Sequence, residues 1–143
     1  MNTRVCVTSL HLDSEDAPIR MQEFQTLLAT QARMNAIVLV CAGDFNTRLD
    51  TPPYTNILQL YNYIRDTNTT PTFALIETPA DHYPIDHVVF NSPLHITQKF
   101  EVLCTKNWQL YTTNAQRLIA NIMYCGSDHL PIVSTLSWWI QVS

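Results

Sequence analysis

The chain has 143 residues, 46% hydrophobic and 14% charged, with 8 Lys and Arg against 12 Asp and Glu for a formal net charge of -4. That length carries one domain with its own core, and that composition excludes a disordered chain. The acidic balance and the lack of any Lys/Arg run remove the broad basic face of a nucleic-acid-binding module, although an enzyme needs only a local groove.

Residues 4–12 (RVCVTSLHL) predict a strand, being short, rich in β-branched residues and ended by an acidic cluster. Residues 13–18 predict a loop and a helix start, because acidic residues and a proline suit a first turn. Residues 19–34 predict a helix with Phe24, Leu27, Leu28 and Gln31 on one face and Ala32 extending it. The apolar run 36–42 (AIVLVCA) fits a strand buried on both faces and stops at Gly43. Residues 43–53 predict a loop. Pro52-Pro53 then open a helix near 54–64, with Ile57, Leu60, Tyr61 and Ile64 on its apolar face. Short strands follow near 72–76, 85–90, 98–104 and 131–140, with a turn signal at Asn91-Ser92-Pro93. Residues 107–125 read equally as a helical face or an irregular strand. The order predicts a layered α/β protein with its polar loops at strand ends.

Cys6, Cys41, Cys104 and Cys125 lack zinc-knuckle spacing and are too sparse for a disulfide framework; Cys6 and Cys41 sit in apolar runs that suit buried thiols. No run approaches the roughly 18 apolar residues of a membrane helix, and the first residues lack a signal-peptide core. The default expectation is a soluble, cytoplasmic protein.

The only glycines are Gly43, directly before the carboxylate of Asp44, and Gly126, separated from Asp128 by one serine. Each reads as a sharp turn presenting that carboxylate at the end of an apolar segment, though glycine and aspartate are ordinary turn residues as well. Asp44 and Asn46, two apart, point the same way from an extended loop and offer the oxygen donors that hard cations such as Mg²⁺ favour. Asp128 adds a second carboxylate. His129 beside it is suited either to take a proton from water or to stabilise phosphate charge as imidazolium. Asp86 lies in a strand-like apolar context, where a carboxylate is costly unless paired; pairing with His129 would orient the imidazole and raise its pKa. His11 interrupts a strand end and is by itself more often structural than catalytic.

The series Leu10-His11-Leu12, Arg20 and Gln22, Gly43-Asp44-Phe45-Asn46, Tyr54, Ile85-Asp86-His87-Val88 and Ser127-Asp128-His129-Leu130-Pro131 closely resembles the endonuclease/exonuclease/phosphatase (DNase I-like) superfamily. That group holds DNase I-like nucleases, abasic-site endonucleases, deadenylases, inositol-polyphosphate phosphatases and sphingomyelinases. The resemblance runs from about Val5 to Leu136 and is poor only over 107–125. It implies part of a four-layer α/β/β/α sandwich, an α+β arrangement with the site at one end of two facing sheets. It further implies a Mg²⁺- or Mn²⁺-dependent phosphoester hydrolase. Asp44, Asn46 and Asp128 would serve the metal. His11, Asp44, Asn46, Asp86 and His129 would serve the chemistry. Arg20 and Gln22 are expected to be helix-surface and packing residues. The substrate would be a phosphoester, with nucleic acid, phosphoinositide and phospholipid headgroup equally compatible.

Family domains are longer than this chain, so the resemblance implies that residues 1–143 are the C-terminal portion of a single domain. The preceding portion would carry the glutamate that is the principal metal ligand. Glu15 and Asp16 occupy a helix start and do not replace it. Three arrangements follow: a piece completed by a complementary N-terminal half, a non-catalytic scaffold retaining the motif, or a self-sufficient enzyme, for instance a homodimer that pairs its edges and borrows ligands. The apolar end Trp138-Trp139-Ile140 would then lie at an open edge.

Overall fold

The computed structural model describes residues 3–73, 83–103, 116 and 127–139. Gly126, Cys104, Cys125 and nearly all of the 107–125 segment lie outside them. The described elements are β1 (Val5–His11), α1 (Ala17–Gln31), β2 (Val38–Asp44), α2 (Pro52–Leu60), β3 (Ile64–Arg65), β4 (Asp86–Asn91), β5 (Ile96–Val102) and β6 (Ile132–Trp138). Among the described residues no helix is long and apolar enough to cross a membrane.

The strands form a four-stranded sheet of order β1-β2-β4-β3 and a two-stranded sheet, β5-β6. β1 runs parallel to β2, and β4 runs antiparallel to both β2 and β3. The parallel pair needs a crossover, which α1 supplies. Asp16 caps α1 through its carboxylate, which accepts the Ile19 N–H at 3.0 Å, and Pro18 sits in the first turn. Phe24, Leu28 and Gln31 form its buried stripe, while Ala32 follows the helix and is exposed.

Strand alternation divides two cores. One face of the large sheet turns Leu39, Cys41 and Val89 toward Phe24, Leu28, Phe45 and Leu58. The opposite face turns Val38, Val40, Val88 and Phe90 toward Ile96, Phe100, Ile132, Leu136 and Trp138 of the small sheet. β2 is thus covered on both faces, which explains its unbroken apolar run. Gln31 is buried but satisfied. Its amide N–H groups donate to Thr8 Oγ1 and the Val40 carbonyl, both at 2.8 Å, and its oxygen accepts from the Tyr63 hydroxyl and the Cys41 thiol.

Two boundaries differ from the sequence reading. β2 continues through Gly43 and Asp44, because β1 and β4 carry the ladder two residues past the apolar run. α2 ends at Leu60, because Asn62 adopts a left-handed φ of 57° and reverses the chain; Ile64 therefore belongs to β3, not to a helix face. Of the strand expected near 72–76, the described residues show an isolated bridge from Phe73 to His129.

Candidate functional site

The ladder register itself builds the site. His11 pairs with Asp44 across β1 and β2, and Asp44 pairs with Asp86 across β2 and β4. Three polar side chains thus form one row at one end of a sheet whose other rows are mostly apolar. Gly43 makes that row possible. Its φ is 145°, and a Cβ there would lie 2.1 Å from the Leu10 carbonyl oxygen, far inside contact distance. Only glycine lets the strands approach this closely just before Asp44.

The loop after Asp44 is pinned from three directions. The Phe45 N–H donates to the Ile85 carbonyl at 2.8 Å, and its fully buried ring stacks edge-on against Phe24 and His87. Asn46 takes a left-handed φ of 49°, a conformation asparagine tolerates. Its backbone N–H donates to Asp44 Oδ1 at 2.7 Å, and its side-chain amide donates to the Leu12 carbonyl at 2.7 Å.

His129 enters from the far segment. Its Nδ1 lies 2.8 Å from Asp86 Oδ2, and its Nε2 lies 3.6 Å from Asp44 Oδ2. His11 Nε2 stands 3.7 Å from the same Asp44 oxygen, on a ring 74% exposed. The bond to Asp86 raises the His129 pKa; burial opposes this, and the charges of Asp86, Asp44 and Asp128 reinforce it. Burial raises the Asp44 pKa, the Asn46 N–H partly offsets it, and the Asp86 charge adds to it. A half-buried carboxylate inclined to hold a proton therefore faces an imidazole inclined to be charged. Among the described residues, Asp44, Asp86 and His129 place ligand atoms within 4.8 Å of one another.

The expected residues are brought together unevenly. His11, Asp44, Asn46, Asp86 and His129 converge. Asp128 is exposed and stands outside the three-residue cluster, acting on His129 through its charge. Arg20 lies on α1 with its guanidinium near the Tyr54 hydroxyl (3.4 Å) and on the Asp13 carbonyl (2.6 Å); Gln22 is exposed.

Two features were not anticipated. The buried Thr72 hydroxyl accepts the N–H groups of Ile85 (3.1 Å) and Asp86 (3.0 Å), while its carbonyl accepts the Leu130 N–H at 2.7 Å. One residue thus ties the Asp86 strand to the His129 segment, and the Phe73 ring packs 4.9 Å from the imidazole. Asp66 is also buried. Its Oδ2 lies 3.3 Å from His87 Nδ1 and accepts the Val88 N–H at 3.2 Å, while His87 Nε2 lies 3.1 Å from the Thr47 carbonyl oxygen. No spacing in the sequence marks either, because both depend on contacts between distant segments.

Neither a protein-family model nor a curated protein matches the sequence. Solved structures do match the fold. Mannosyl-6-phosphatase Bt3783 of Bacteroides thetaiotaomicron aligns with TM-score 0.56 and 18% identity, over 92% of this chain and 50% of its own. An endonuclease/exonuclease/phosphatase family protein from the same organism aligns with TM-score 0.54 and 18% identity, over 91% of this chain and 49% of its own. The human Nocturnin catalytic domain gives 0.54 and 15%, over 94% of this chain and 47% of its own. The chain has a DNase I-like, α+β fold and spans about half the length of the solved structures it matches.

Proposed function

We propose, from the premise of that DNase I-like fold, that the chain supplies half of a divalent-metal-dependent site for hydrolysing phosphoesters. The carrying observation is the Asp44–Asp86–His129 cluster, with the Asp86–His129 bond at 2.8 Å and His11 across Asp44. The donor set fits Mg²⁺ or Mn²⁺, which take carboxylate and amide oxygens. Asp44 and Asp86 would hold the ion. Asn46 commits its amide nitrogen to Leu12, which favours its oxygen for the same task. When bound, such an ion polarises a phosphoryl oxygen and makes a nucleophile of its water.

The chain's own groups supply the rest. His129, held charged by Asp86, stabilises negative charge on the phosphoryl group. Asp44 accepts a proton from the attacking water as the new P–O bond forms and the ester P–O bond breaks, and the leaving oxygen takes its proton from solvent. His11 contacts a phosphoryl oxygen from the exposed side. The substrate is a phosphomonoester or phosphodiester. Because half of each matched structure has no counterpart in these 143 residues, the described cluster is read as a partial ligand set.

The test is hydrolysis of p-nitrophenyl phosphate and bis-p-nitrophenyl phosphate with Mg²⁺ or Mn²⁺. The isolated chain is expected to turn over weakly or not at all, and any turnover should vanish in Asp44→Ala and His129→Ala. Robust turnover that both variants abolish would overturn the half-site part of the reading. Turnover that survives them would overturn the chemistry.

A further inference from the structure

The loop after β2 plants its two ends in the core and turns between them. Phe45 and Leu49 are fully buried beside Phe24 and Leu28 of α1. Asn46 has a φ of 49°, a left-handed conformation that persists only where its surroundings hold it. Two holding contacts lie on Asn46 itself: its N–H donates to Asp44 Oδ1 and its amide donates to the Leu12 carbonyl. A third lies one residue on, where the Thr47 carbonyl oxygen stands 3.1 Å from His87 Nε2. A carbonyl only accepts, so Nε2 carries the hydrogen of this bond. The ring turns Nδ1 to Asp66 Oδ2 at 3.3 Å. Asp66 is fixed in turn, because Oδ1 accepts the Asn68 N–H at 3.0 Å and Oδ2 accepts the Val88 N–H at 3.2 Å.

Packing alone does not call for these residues. His87 and Asp66 are 2% and 1% exposed, and the His87 ring lies edge-on to Phe45. Apolar residues of the same shape would fill this space without taking a carboxylate and an imidazole out of water. What they could not supply is a donor aimed at the backbone just after Asn46. We infer that His87, oriented by Asp66, is a positioning residue that locks the Asn46 bend beside Asp44, resting on the reading that Asn46 serves the cation. His87 acts through Asn46 and reaches neither substrate nor ion. It shares β4 with Asp86, so one strand supplies a ligand on one face and the brace for a second ligand on the other.

Two substitutions of His87 separate its donor from its bulk. His87→Asn keeps a nitrogen near the Nδ1 position for Asp66 and loses the reach to Thr47. His87→Gln extends that reach again. Both lose the ring against Phe45, so both lower the urea midpoint, and the difference between them reports the donor. In His87→Asn the Asn46 amide should exchange its hydrogen faster relative to the amides of β2. Affinity for Mn²⁺, measured by calorimetry, should fall about tenfold or more, the usual loss when the support behind a metal ligand is removed. In His87→Gln both should return toward the wild-type values. Should neither variant fold, the unaltered chain decides: long-range ¹H–¹⁵N spectra should show a protonated His87 Nε2. An Nε2 without hydrogen, unchanged Asn46 exchange in His87→Asn, or a His87→Gln no closer to wild type than His87→Asn would each overturn the inference. Absence of Mn²⁺ binding to the unaltered chain would instead sink the cation reading, and the Asn46 exchange rates would still judge His87.

Discussion

Gly43→Ala is the most informative single change, because it perturbs the fold and the site through one methyl group. The added Cβ would start 2.1 Å from the Leu10 oxygen, and the backbone would have to keep a φ of 145° that alanine resists. Backbone strain of this kind costs about 1–3 kcal/mol. Relieving the overlap requires β1 and β2 to part where Leu10 and Gly43 pair, and overpacking adds a further 1–3 kcal/mol or so. The expected loss is about 2–6 kcal/mol, a large share of the roughly 5–15 kcal/mol of a typical domain. Urea unfolding followed by circular dichroism measures it. Ala42→Gly serves as the control, expected to cost about 0.5–1 kcal/mol from chain entropy. The His11 and His129 ring resonances should move in Gly43→Ala and stay put in the control, since the row His11–Asp44–Asp86 begins one residue on. A loss below about 1 kcal/mol with unchanged ring resonances would refute this account of Gly43.

Asp86→Asn removes the charge that holds the His129 proton, so the His129 titration midpoint should fall; an unchanged midpoint by NMR would contradict the pairing. The sign for stability follows. The folded pKa of His129 lies above its ordinary 6.5, so the pair's contribution is complete below pH 6.5 and is lost as pH rises through the folded value. That pH dependence should flatten in Asp86→Asn unfolding curves. Asp66→Ala should destabilise by about 1–3 kcal/mol, because it removes the buried partner of the His87 ring and of the Val88 N–H; a loss too small to resolve would argue against the buried network. Iodoacetamide should modify the partly buried Cys6 before Cys41, whose thiol is fully buried and pushed up to about 12. Peptide mass mapping gives the order, and the reverse order would contradict the packing of β2.

The elements legible in the sequence are those whose signal is local. The doubly buried β2 shows as an apolar run, α1 as the spacing of Phe24, Leu28 and Gln31, and the site row as polar residues ending apolar strands. What was illegible depends on partners far along the chain. Gly43 and Asp44 count as strand only because β1 and β4 lie on either side. Thr72 looks like an unremarkable residue in a proline-flanked stretch, yet its hydroxyl accepts the amides of Ile85 and Asp86 at the start of β4 and its carbonyl a third from the His129 segment. Asp128, which the resemblance implied as a metal ligand, is exposed and bears on His129 through its charge.

We propose that Asp44 and Asp86 hold a divalent cation beside His129. Calorimetric titration of the full chain with MnCl₂ tests it most directly. One saturable site is expected, abolished by Asp44→Ala and by Asp86→Ala and largely kept by Asp128→Ala. No binding to the intact chain, or binding that survives Asp44→Ala, would contradict it.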